Sequence, residues 1–332
     1  MFDLARKSSI HRQITKRRCS VRTFHQAENR LISMGEDGGA EIVHAFVIDG
    51  LNLARYGGIV GRSGRVDAMR DTDEFGARMK AYEAVETGRR LDAHKPIYAR
   101  IDGRSFSRFT RGMERPFDAL MTDAMIETTK HLVSETHARI GYTQSDEISL
   151  VWLADTADSD VFFSGKVQKM VSVVASMAAA KFARVCPAGF EDRLPHFDAR
   201  VFQMPDRLEA ANAFLWRAMD ARKNAISMVA QSLFSQRQLH GINQTGMLRM
   251  IAEAGIDFDA FDVRFRRGTF VRREVSTRLL TQDEASAIPE AHRPTGLVTR
   301  ASIVEIDMPP FNMVVNRPEV IFDGAMAMER PT

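Results

Sequence analysis

Two acidic residues far apart in this chain each stand at the edge of a β-rich segment. In ARIDGRSFSRFT, residues 99–110, Asp102 and Gly103 follow the run PIYARI, whose bulk and β-branching predict a strand. A glycine there lets the backbone turn sharply and approach a ligand. In GYTQSDEISLV, residues 141–151, Asp146 and Glu147 precede the strand-like ISLVW, so a neighbouring strand of the same sheet can carry a second carboxylate. Magnesium prefers hard oxygen ligands and keeps waters and substrate phosphates in its shell, so one or two carboxylates suffice where phosphates supply the rest. With two ions about 3.5–4 Å apart, one activates an attacking hydroxyl and the other holds the departing phosphates. Asp102 and Asp146 are the candidates to bridge both ions. An Asp-Gly after a strand is also an ordinary turn, and SDE also reads as a solvated hairpin. The polar donors Arg104, Ser105, Ser107, Gln144 and Ser145 around the acids favour the site.

The elements that must position these acids are legible in the hydrophobic periodicity. Residues 72–91 predict a helix with Phe75, Met79, Tyr82 and Val85 near one face. A second helix, residues 118–136, carries an apolar stripe of Leu120, Met121, Ala124, Met125, Thr128 and Leu132. Residues 161–185, rich in Ala, Val and Met, predict a long helix lying across a sheet. HFDARVFQMP, residues 196–205, reads as a strand ended by Pro205, with Asp206 capping the next helix. His196 is read as structural. The helix that Asp206 caps contains residues 215–234, and a turn and short helix over 240–251 and a strand FRRGTFVRREV follow. Beyond Thr277 the sequence reads as loop, with an extended tail over 309–324 packed on the body. This alternation predicts an α/β or α+β sheet with helices on one face.

At 332 residues, 44% hydrophobic and 27% charged, the chain can bury one large core or two modest ones. Its only cysteines, Cys19 and Cys186, are far apart and outside any CxxC or histidine cluster, which argues against a disulfide scaffold or a zinc site. An intracellular compartment is expected. No apolar run approaches the length that spans a bilayer, so no membrane partner is expected. Residues 1–30 carry eight Lys/Arg against two Asp/Glu, a local +6 within a total of +3, which leaves the rest at −3. Any RNA contact must therefore use local patches, of which RFRRGTFVRR, residues 264–273, is the densest; it also reads as an arginine-flanked edge strand.

Residues 1–70 mix a basic start, an apolar island IVHAFVIDGLNLA and the glycine-rich YGGIVGRSGR. They are expected to be an N-terminal extension, disordered or loosely attached. An arginine-rich transit peptide and an upstream start, with Met69 near the true beginning, are the other readings. IDGLN, residues 48–52, echoes IDGRS but is too short to be a repeat.

RIDGRSFSRFTRG and IGYTQSDEISLVW together closely resemble the tRNA(His) guanylyltransferase family and its Thg1-like relatives, polymerases that add nucleotides to RNA 5′ ends in the 3′-to-5′ direction. With ARMKAYE (77–83), WRAMDARKN (216–224) and RRGT (266–269), the resemblance runs over residues 71–275. It implies an α+β, polymerase-like palm with a mainly antiparallel sheet, and a catalytic domain over residues 71–332. Two Mg2+ ions would be held by Asp102, the Gly103 carbonyl and Asp146. Asp102, Gly103, Arg104, Ser105, Phe106, Ser107, Ser145 and Asp146 would bind the nucleotide, with the amides of residues 103–107 facing phosphates and Phe106 near the base. The family often has histidine where this chain has Ser107. Glu147 is expected to support the hairpin. Arg78 or Lys80, and Arg111 and Arg115, are candidates for the triphosphate. ATP or GTP would activate an RNA 5′-monophosphate, which the 3′-hydroxyl of a nucleoside triphosphate then attacks. The implied partner is tRNA, the assembly a homotetramer and the compartment cytoplasmic. Arg217, Asp220 and Asn224 match the family, but Arg222, Lys223, Asn224 and Ala225 stand where histidine-tRNA enzymes have His-Ile-Asn-Asn. That departure favours 5′-end repair of varied tRNAs over tRNA(His) guanylylation. A palm-type nucleotide cyclase and a non-catalytic RNA-binding protein are the rival readings.

Overall fold

Strand β3 (Ile97–Gly103) is buried at Ile97, Tyr98, Ala99, Ile101 and Gly103, on both faces at its start, and that pattern dictates the layers around it. Ile97, Ala99 and Ile101 point into one core, while Tyr98 points into another. A strand buried on both faces must be central, and β3 has β5 (Glu147–Trp152) on one side and β6 (Phe197–Gln203) on the other, both antiparallel. With β4 (Ile140–Gln144), β7 (Thr269–Arg278) and β8 (Val298–Ile306) the sheet has six strands, ordered β6-β3-β5-β4-β7-β8, and every pairing is antiparallel.

This computed structural model describes residues 32–34, 40–42, 74–156, 158–294 and 296–331. The chain divides into residues 1–68 and 69–332. In the first unit the described residues are β1 (Ile32–Met34) and β2 (Ala40–Ile42), an antiparallel pair. The expectations for the basic start, the apolar island, the glycine-rich run and a disordered or loosely attached extension lie outside the described residues.

In the second unit α1 (Glu74–Thr87) precedes β3, and the short α2 (Phe106–Phe109) follows it. Helices α3 (Ala119–Thr136) and α4 (Val167–Val185) pack on one face of the sheet through Met121, Ala124, Met125, Leu132, Met170, Val174, Ala178 and Phe182. The other face is covered by α5 (Arg207–Leu233) and a C-terminal segment, through Ala210, Ala211, Phe214, Phe311, Val314 and Val320. Helices therefore cover both faces, where the alternation of elements predicted one. The far half of α5 builds a third cluster with α6 (Gln236–Leu239) and α7 (Gln244–Glu253), and the short α8 (Val263–Arg267) leads into β7.

Local chemistry sets the boundaries. The carboxylates of Asp118 and Asp206 accept backbone hydrogen bonds from Met121 and Glu209, capping α3 and α5. Helix α4 starts six residues later than predicted. Asp160 accepts from the Val161 amide and the Ser164 hydroxyl, and Phe163, Ser164 and Gly165 take positive φ in the turn that precedes the helix. The predicted loop after Thr277 is instead the return of a hairpin: β8 pairs along the whole of β7, and α9 (Gln282–Ser286) lies between them. The predicted extended tail contains α10 (Arg317–Phe322), whose Val320, Ile321 and Phe322 are buried. The expected apolar face of α1 is not covered: Phe75, Met79, Tyr82 and Val85 are 40–79% exposed. Among the described residues, no helix is long and apolar enough to cross a membrane.

Candidate active site

The two acids meet because the sheet register brings them together. Asp102 is directly opposite Glu147 in β5 and Asp198 in β6, and directly opposed residues point to the same face. Ser145 and Asp146 form the two-residue turn between paired Gln144 and Glu147, so Asp146 sits one position beyond that row. The Gly103 amide donates to the Asp146 carbonyl at 3.0 Å, which fixes the turn against the end of β3. Burial, and after it the negative charge of Asp102, pushes the Asp146 carboxyl up to about 6. Burial and then Asp198 raise Asp102 as well, against the opposing pull of Arg100, Arg200 and Arg217. The site thus holds like charges close together.

Glu147 turns away from this pair toward α5. Its two carboxylate oxygens accept from Nε and Nη2 of Arg217 at 2.5 and 2.7 Å, and the Arg100 guanidinium lies 3.9 Å away. Burial raises Glu147 in spite of these guanidinium groups, while the same pair raises Arg217 although burial alone would lower it. These shifts pull in opposite senses. With both oxygens accepting from one guanidinium fork, the ionised pair is the form the geometry supports.

Asp146 faces a cleft of about 450 Å³ between the β4–β5 turn, α2, the loop before α3, and α5 and α8. Its lining combines the polar Ser105, Ser107, Gln144 and Ser145 with the apolar Met113, Phe117, Met121, Met125, Met228 and Phe265, and with Glu114, Arg115, Asp118 and Arg264. The Phe117 and Phe265 rings stack with centroids 4.9 Å apart. Such a cleft suits a ligand with a flat apolar part and a charged part. Ser105 and Ser145, both in this lining, hold the left-handed backbone conformation, with φ of 59° and 53°. Non-glycine residues rarely adopt it, and it clusters at functional sites.

Of the residues expected to bind nucleotide, Ser105, Phe106, Ser107, Ser145 and Asp146 line the cleft, whereas Asp102, Gly103 and Arg104 do not. Arg104 faces a groove on the other side of the loop. The Gly103 and Arg104 amides are already donated to the carbonyls of Asp146 and His196, so amides facing a phosphate would have to come from residues 105–107. Phe106 is 3% exposed and packs against Phe109, Phe182 and Phe197, so its ring is mainly core. Gly103 is required for the closeness of this ring, since a Cβ there would lie 2.4 Å from it; its φ is not positive. The glycine of RRGT has both needs: Gly268 has φ of 72°, and a Cβ would meet the Thr143 carbonyl oxygen at 2.5 Å.

Arg115 lines the cleft and Arg111 does not; its carbonyl accepts from Arg193. Arg78 and Lys80 are on exposed faces of α1, outside the cleft lining. The RFRRGTFVRR arginines are largely engaged within the protein. Arg264 pairs with Asp123 and Asp262, Arg266 with Asp259, and Arg272 with Glu274, while Arg273 donates to the Ser134 carbonyl. Arg264 and Arg266 are in α8, and Arg272 and Arg273 are in β7, which is internal to the sheet with β8 at the edge. The residues unforeseen in the sequence are Asp198, brought opposite Asp102 by a strand pairing, and the cleft residue Phe117, while Arg264 and Phe265, singled out only as part of the basic patch, line the cleft. HFDAR has the alternation that places Asp198 on the outer face, but no local signal placed it beside Asp102.

The donor set fits a hard divalent cation only with help from a substrate. Among the described residues no group of three or more His, Cys, Asp or Glu could enclose a metal ion. Asp102 and Asp146 offer a carboxylate pair with raised affinity for positive charge, which suits an ion that completes its shell with phosphates and water.

A sequence model of the family described as tRNAHis guanylyltransferase (Thg1) matches residues 76–205. Among solved structures, a bacterial tRNA(His) guanylyltransferase (Thg1)-like protein in complex with ATP is 38% identical, with a TM-score of 0.58, over 60% of this chain and 88% of that one. A bacterial protein of the same description in complex with GTP is 31% identical, with a TM-score of 0.57, over 72% of this chain and 94% of that one. An uncharacterised protein of Acanthamoeba polyphaga mimivirus is 29% identical over 208 residues, 54% of this chain and 70% of its own length. The antiparallel palm, the paired acids at the end of its central strands and these likenesses agree: the chain belongs to the tRNA(His) guanylyltransferase (Thg1)-like family of nucleotidyltransferases.

Proposed function

We propose that this protein is a magnesium-dependent nucleotidyltransferase that adds nucleotides to the 5′ end of tRNA in the 3′-to-5′ direction. The observation that carries the reading is Asp146, fastened to the end of β3 by the Gly103 amide, sensing the charge of Asp102 and opening onto the cleft. Asp102, Asp146 and the Gly103 carbonyl would hold two Mg2+ ions, which would supply acidification of the attacking hydroxyl and neutralisation of the leaving phosphates. Ser105, Ser107 and Ser145 hold the phosphates of ATP or GTP, and the methionines and the Phe117–Phe265 pair take the base. The RNA 5′-monophosphate attacks the α-phosphorus of ATP or GTP and releases pyrophosphate; the 3′-hydroxyl of the incoming nucleoside triphosphate then loses its proton and attacks the RNA 5′ phosphorus, forming the phosphodiester and expelling the nucleoside monophosphate. Arg222, Lys223, Asn224 and Ala225 in place of His-Ile-Asn-Asn support 5′-end repair of several tRNAs. The reading carries a cytoplasmic homotetramer with it.

The test is extension of 5′-truncated tRNAs of several identities with all four nucleotides and Mg2+. Wild type is expected to extend more than one tRNA. Asp102→Asn and Asp146→Asn are expected to abolish product and Mn2+ binding, read by electron paramagnetic resonance, while keeping the wild-type circular dichroism spectrum. Product formed without RNA would mean a cyclase-type enzyme. Unchanged extension by either variant would remove the acids from the mechanism, and a single G added to histidine tRNA alone would overturn the repair reading.

A further inference from the structure

We infer that the groove behind the loop of residues 104–109 is where the RNA strand lies, gripped through its phosphodiesters by Arg104, Arg108 and His196; this rests on the proposed tRNA 5′-end chemistry. The groove, about 560 Å³, is lined by Arg104, Ser105, Phe106, Arg108, Phe109, Arg193, Leu194 and His196. No acidic residue is among them. Ser105 and Phe106 also line the nucleotide cleft, so one loop is the shared wall of both spaces. A strand lying in the groove therefore runs beside the wall that leads to Asp146.

The loop arginines of the groove are without ion pairs among the described residues, and hydrogen bonds join its two sides. Among the described residues the side chains of Arg104, Arg108 and His196 have no ion-pair partner, unlike the arginines of RFRRGTFVRR. Arg193 is occupied in holding the groove together. It donates to the Phe109 and Arg111 carbonyls and lies over the Phe190 ring, which ties the 190s loop to α2. The Arg104 amide joins the same two segments through the His196 carbonyl at 2.8 Å. At the lip Leu194 is 76% exposed, an apolar contact available to a sugar or base. The chain after residue 30 has a formal charge of −3, so this concentration of cations is a local exception, as the expected reliance on local patches requires. The two arginine charges at an open groove attract phosphates, with the His196 imidazole as a hydrogen-bonding neighbour, and release of counterions makes that attraction depend on salt.

The experiment measures binding of a 5′-monophosphorylated, 5′-truncated tRNA by fluorescence anisotropy between about 50 and 300 mM NaCl, with ATP binding measured by calorimetry on the same samples. Arg108→Gln is expected to weaken RNA binding several-fold at low salt and to make the log–log salt slope shallower by roughly 0.7–0.9. Arg108→Lys should restore the slope, and Arg108→Gln with His196→Gln should weaken binding further, all with ATP affinity at the wild-type value. RNA affinity and slope equal to wild type in the double variant would overturn the inference, and so would a loss confined to ATP, which would make the groove a free-triphosphate site. If wild type binds no tRNA and extends none, the underlying reading of the protein fails instead, a result distinct from either.

Discussion

Replacing Arg217 with methionine tests whether the hairpin that carries Asp146 is held by an ion pair. The Arg217 and Glu147 side chains are 9% and 13% exposed, and both carboxylate oxygens are engaged by the guanidinium. Removing one member of a buried pair costs about 3–5 kcal/mol, chiefly because the other charge is left without a partner. Here the abandoned Glu147 would retain only Arg100 at 3.9 Å and would stand directly opposite Asp102. It can escape part of the cost by taking a proton, since burial already raises it. The expected loss is therefore about 3 kcal/mol at about pH 8, and smaller at about pH 5, where protonation is easier. Urea unfolding of Arg217→Met, Glu147→Gln and the double variant gives the coupling between them, expected at about 2–3 kcal/mol. The double variant should lie closer to wild type than Arg217→Met does. The folded fraction of Arg217→Met should also bind Mn2+ more weakly, because the Asp146 turn ends at the residue Arg217 holds. A coupling below about 0.5 kcal/mol, or equal loss at both pH values, would refute this account of the hairpin.

Asp146 has a pKa in the folded chain of about 6, above its unfolded value, so the metal-free protein binds more protons than the unfolded chain between about pH 4 and 6. Its contribution to stability is present below that window and is lost as pH rises through it; Asp146→Asn should flatten this part of the stability–pH curve, and Mn2+ affinity of wild type should increase over the same range. Gly103→Ala drives a methyl group against the Phe106 ring and should cost about 1–3 kcal/mol in urea unfolding, with Phe106→Leu recovering part of the loss. Ser145→Gly removes an unfavourable left-handed conformation but loosens the unfolded chain, so a change within about 1 kcal/mol is expected; a large loss would mean the serine side chain itself holds the turn.

The acids were legible because each is followed or preceded by a run of bulky, β-branched strand formers, a local signal that requires no knowledge of the rest of the chain. Their closeness was not legible from spacing: it arises from the pairing of Asp102 with Glu147 and from one backbone hydrogen bond, both long-range facts. The same limit accounts for Gly103. Its sequence neighbours suggest a turn, whereas the need for glycine comes from a phenylalanine ring three residues later folding back beneath it. Cation-rich segments are the least legible of all, since charge in the sequence says nothing about partners. RFRRGTFVRR, dense in arginine, is largely neutralised by Asp123, Asp259, Asp262 and Glu274, whereas Arg104, Arg108 and His196, scattered over two segments, are left together without an acid. The end of the sheet is thus ordered by charge. Asp198, Asp102 and Glu147 form one row, with Arg200 and Arg100 two residues inward, and Arg217 forks onto Glu147. Asp102 and Asp146, joined through the β4–β5 turn, receive no such fork, and a carboxylate pair held close without neutralisation is where a divalent cation gains most.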